Sequence, residues 1–95
     1  MPVSLTRVVL DVLKPRELGL PDLVKAVCEE AGARQVSADI VEVDVGTETV
    51  KMTVEGNDLD LKLLLEKLEE FGCAVRSIDS VTARRVGPEK PNKVD

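Results

Sequence analysis

The apolar residues of this chain switch between two spacings, and the order of the switches constrains the fold more than any single motif. In "SLTRVVLDVLK", residues 4–14, they alternate. Val8, Leu10 and Val12 fall on one side, and Arg7, Val9, Asp11 and Leu13 on the other. Alternation is the strand period, because successive side chains point to opposite faces. Pro15 closes the stretch. From Leu20 the spacing lengthens: Leu20, Leu23, Val24, Val27 and Ala31 share one helix face. Pro21 suits a first helical turn and Gly32 a left-handed stop. "QVSADIVEVDV" and "TVKMTVE" return to alternation around a short turn at "GTE", residues 46–48, and predict a hairpin. Val36, Ala38 and Ile40 line one face of the first strand, with Ser37, Asp39, Val41 and Val43 on the other. Val50, Met52 and Val54 line one face of the second, with Lys51, Thr53 and Glu55 opposite. "DLDLKLLLEKLEEFG", residues 58–72, is again helical. Its stripe is Leu61, Leu64, Leu65, Leu68 and Phe71. Asp58–Lys62 and Lys62–Glu66 stand at pairing distance on the wet side, and Gly72 is the stop. In "AVRSIDSVTARR" Val75, Ile78, Val81 and Ala83 break strict alternation, and a bulge near Ser77–Asp79 restores the phase.

The order is therefore βαββαβ. Two split βαβ units with right-handed crossovers close one four-stranded antiparallel sheet with both helices on one face, the ferredoxin-like α+β arrangement. Ninety-five residues hold one domain, read here as residues 1–85. "VGPEKPNKVD", residues 86–95, is rich in proline and charge and reads as a flexible tail.

Composition narrows the function classes. The net charge is -5, which disfavours a phosphate backbone. One Phe, with neither Trp nor Tyr, gives no stacking platform for bases, so nucleic acid is not an expected partner. There is no His, which removes the commonest general base and metal ligand. Cys28 and Cys73 form no C-x-x-C pair and read as reduced, packed thiols in a cytoplasmic protein. Arg7 and Asp11 interrupt the first apolar run, so it is neither a signal peptide nor a membrane span.

Three acidic clusters are candidates for a hard divalent cation, which takes carboxylate, amide and carbonyl oxygens. The first is "EGNDLD", with Asp58. Helix capping explains it without a ligand: Asn57 as N-cap, Asp60 reaching back, and both aspartates at the positive helix end. The second is Glu42, Asp44 and Glu48 around the hairpin turn, where charge also protects an edge strand. The third is Asp11 with Asp79, on neighbouring strands. Those two are also the candidates for a small enzyme working with a carboxylate pair, while Arg7 or Arg76 offers Asp11 a salt bridge instead.

"VVLDVLKP", "VEVDVGTETVKMTVEGNDLD" and "SIDSV" resemble a small archaeal family of uncharacterised proteins, domain of unknown function 211. The resemblance covers nearly the whole chain except the tail. It implies a ferredoxin-like fold, a homo-oligomer and, in at least some members, bound calcium. The family often has His after "LKP", where this chain has Arg16. The expected function is a non-enzymatic, homo-oligomeric binding or regulatory module that takes calcium or a small ligand. Self-association is expected through the open sheet face or its rim, where Val9, Leu13, Val41 and Val43 stand among charges.

Overall fold

The computed structural model describes residues 2–85; the expected tail lies outside them. The elements are β1 (Val3–Pro15), α1 (Leu20–Glu30), β2 (Gln35–Val43), β3 (Thr47–Glu55), α2 (Leu61–Glu70) and β4 (Ala74–Arg85). The strands form one sheet in the order β2-β3-β1-β4, with every neighbouring pair antiparallel. This is the ferredoxin-like α+β fold that the periodicity predicts.

The alternation of β1 sets the core. Val8, Leu10 and Val12 are fully buried, and their partners across the register are Val54, Met52 and Val50, which are buried too. Leu23 and Val27 of α1 and Leu64 and Leu68 of α2 close over them. Each of these side chains contributes about 1.5–3 kcal/mol by leaving water. Lys67 joins the two helices at the surface. Its ammonium is held above the usual lysine range, first by the hydrogen bond to Glu30 on α1 and then by the charge of Glu70.

Both helices stop in the same way. Gly32 and Gly72 adopt φ of 68° and 84°, where a Cβ is strained. The next N–H turns back in each case: Ala33 donates to Cys28 and Cys73 donates to Leu68. Orphan carbonyls of the last turn are thereby satisfied.

Four local expectations are corrected. The N-cap of α2 is Asp60, whose Oδ1 accepts from Leu63 N–H at 3.1 Å, and not Asn57. Leu59 is buried and its N–H donates to Leu5 O, so the chain stays tied to β1 until residue 60. The helix starts at Leu61 rather than 58, and no Asp58–Lys62 ion pair forms among the described residues. The hairpin turn falls at residues 44–46, closed by Asp44 N–H donating to Thr47 O. In β2 the register slips between Ile40 and Glu42, so Glu42 pairs with Thr49 and Val43 with Glu48. The slip carries Val43 to the helix side and Glu42 to the open face.

The bulge expected in β4 is present. Register slips leave Asp79 and also Arg76 as extra residues opposite β1. Between them Ile78 faces Leu10, so Val75, Ile78 and Val81 all stay in phase with Val12, Leu10 and Val8.

Candidate functional site

The six acids singled out in the sequence are spread over the sheet. Asp11 is half-buried in central β1, opposite Lys51 on one side and Ser77 on the other. Asp79 is the exposed bulge residue, and its Oδ1 accepts from Ser77 Oγ at 2.7 Å. Glu42 is exposed at the far end of β2. Asp44 is spent on its own turn, where its Oδ1 accepts from Val45 N–H at 2.8 Å. Asp58 is exposed in the loop before α2. Among the described residues no three Asp, Glu or Cys side chains converge closely enough to hold a metal ion.

Glu48 has the most specific environment of the six. Its Oε1 lies 2.7 Å from Lys14 Nζ, and the Lys14 side chain is 1% exposed. Lys14 is in phase with Val12, so the strand drives its stem into the core. Its ammonium also donates to Pro15 O at 2.9 Å and to Leu18 O. Three donors meet three acceptors, which is how a buried charge is tolerated. The group ties β1, the loop after it and the start of β3. Cys73 packs nearby, and burial pushes its thiol up, partly offset by the charge of Lys14. Cys28 and Cys73 are both free, as the sequence suggested.

The sheet edges carry the exposed aliphatics. Val9, expected on the open face, is only 4% exposed. Ile40, Val41 and Val43 of β2, and Ile78 and Val81 of β4, are instead all at least 41% exposed. Beside β4 runs a groove of about 730 Å³, its floor and walls including Leu65, Ala74, Val75 and Ile78.

A second cleft, of about 530 Å³, lies at the opposite end of the sheet from the hairpin turn. Gln35, Glu55, Arg7 and Thr82 are successive cross-strand partners there, one from each strand. Arg34 and Arg84 flank this row. Sequence reading gave Arg7 as a partner for Asp11 and Asn57 as a helix cap; in the structure Arg7 faces Glu55 at 3.7 Å, and both residues line this cleft. The other members of the row and its flanks come from three separate segments, and only the strand register brings them together.

A four-stranded antiparallel sheet, with one face under two helices and the other open, defines the class: a small ferredoxin-like α+β domain. The chain belongs to the family of domain of unknown function 211, described as uncharacterised ArCR, whose profile matches residues 6–91. It is similar to an uncharacterised protein of Methanocaldococcus jannaschii, 38% identical over 80 residues, which span 84% of this chain and 82% of that protein.

Proposed function

We propose that this protein is a non-enzymatic binding module that self-associates at the two edges of its sheet. The observation that carries this reading is the exposure of Ile40, Val41 and Val43 on one edge strand and Ile78 and Val81 on the other. Edge strands also present unpaired N–H and C=O groups, and a second copy satisfies both at once. A domain this small gains core by pairing. A hard cation such as calcium belongs to the same reading. Glu42 and Asp44 sit beside Val41 and Val43, and a cation offsets the like charges that a seam there brings together.

Light scattering after gel filtration tests it. The parent is expected to run well above its 10.3 kDa chain mass. Val41→Lys with Val81→Lys puts unpaired charge in the seam, at about 2–5 kcal/mol. The particle should then shrink while the far-UV circular dichroism stays the same. Calcium should enlarge or stabilise the parent particle, and chelator should reverse that. A monomeric parent, or a double variant of unchanged size, refutes the reading.

A further inference from the structure

This chain has 18 acids against 13 lysines and arginines, yet three arginines meet at one cleft, at the Arg7 end of the sheet. Arg7, Arg34 and Arg84 line it together with one carboxylate, Glu55, which leaves two positive charges. Among the described residues neither Arg34 nor Arg84 has a carboxylate within ion-pair distance. Arg7 approaches Glu55 through Nε at 3.7 Å, too long for a hydrogen bond, and its side chain is 44% exposed and open to a ligand.

The site is also built. Glu55 Oε1 accepts from Gln35 Nε2 at 3.2 Å, and Arg34 N–H donates to Glu55 O at 2.8 Å. These contacts fix the β2 and β3 walls against each other. Thr6 Oγ1 reaches Thr82 O at 3.5 Å and ties β1 to β4 across the same end. Three arginines against one glutamate along such a frame make a positive cleft that attracts an anion. Guanidinium forks match phosphate oxygens in pairs, and two spare positive charges neutralise one phosphate dianion. Gln35, Asn57, Thr6 and Thr82 add amide and hydroxyl groups suited to a hydroxylated body. The size of the cleft falls in the range of small-molecule sites.

We infer that this cleft binds a small phosphomonoester of a hydroxylated compound, its phosphate gripped by Arg7, Arg34 and Arg84. The acidic chain and its lack of aromatic bases' partners favour a small ligand over a polynucleotide. The proposal does not depend on self-association, so the two readings fail separately: one on particle size, the other on ligand binding.

Isothermal titration of the full chain at low salt tests it, with ribose 5-phosphate as the probe. Binding is expected, weakening as salt rises. Ribose alone should give no signal, and inorganic phosphate should bind more weakly than the ester. Arg34→Gln and Arg84→Gln should each cost about tenfold or more in affinity. Arg76→Gln, outside the cleft, should leave affinity unchanged. Arg34 and Arg84 are exposed, so both variants should keep the parent circular dichroism. Absence of binding at about 10 mM ester, or equal affinity in parent and arginine variants, overturns the inference. Inorganic phosphate binding as tightly as the ester, or tighter arginine-dependent binding of a single-stranded RNA, overturns it as well.

Discussion

Replacing Lys14 by Met keeps the stem in the core and removes the ammonium. Glu48, with a side chain only 16% exposed, then loses its cation. The carbonyls of Pro15 and Leu18 lose a donor at the same time. Removing one member of a buried ion pair costs about 3–5 kcal/mol. The partial access of water to Glu48 places this case near 3 kcal/mol, out of about 5–15 kcal/mol for a whole domain. Urea unfolding followed by circular dichroism should show the midpoint falling by about 1–3 M. Lys14→Met with Glu48→Leu removes the stranded carboxylate too, and should recover about 2 kcal/mol of the loss. A single-variant loss under about 1 kcal/mol would refute the argument that the pair is buried and complete. A double variant no better than the single would show that Glu48 is not the group left stranded.

Further outcomes follow from the caps and thiols. Asp60→Ala should lower stability by about 1 kcal/mol in the same urea assay, and Asn57→Ala by clearly less, with calcium or chelator making no difference to either. Iodoacetamide at neutral pH should modify Cys28 before Cys73, because the Cys73 thiol is buried and its pKa raised; equal rates by mass spectrometry would contradict that. The raised folded pKa also sets a sign. Above the unfolded value, near 9.0, the unfolded chain has released its proton while the folded chain keeps it. Stability should therefore fall as pH rises from there towards the folded value. Cys73→Ala should lessen that slope, and an unchanged slope would place its cause elsewhere.

The strand and helix periods made most of the core readable. Val8, Leu10, Val12, Val50, Met52 and Val54 are buried because alternation put them on the side the helices cover. Asn57 and Asp60 are both good caps locally, and no short-range rule separates them. Burial of Leu59 and its hydrogen bond to Leu5 decide for Asp60, and both depend on where β1 lies. Val43 was misplaced because the β2 slip carries no glycine or proline to announce it. Lys14 and Glu48 each fall in phase with a core stripe, yet their pairing requires the β1–β3 register. The arginine cleft is harder still to read, since its residues are scattered from Thr6 to Arg84 and meet only when every strand is in register.

The pairing of β1 with β4 also governs how the chain reaches this state. Val3 lies opposite Arg85, so β1 waits for β4 to be made before its second edge is covered. The β2–β3 hairpin can form early, being local, and β3 can then recruit β1. Closing β1 against β4 spans nearly the whole described chain and carries the largest loop-closure entropy of the sheet. High contact order of this kind slows folding and leaves a long, Val-rich strand edge open in the meantime. The bulges at Arg76 and Asp79 fall on this late pairing. They fix its phase, because a slip by one residue there would turn Val75, Ile78 and Val81 away from the core side.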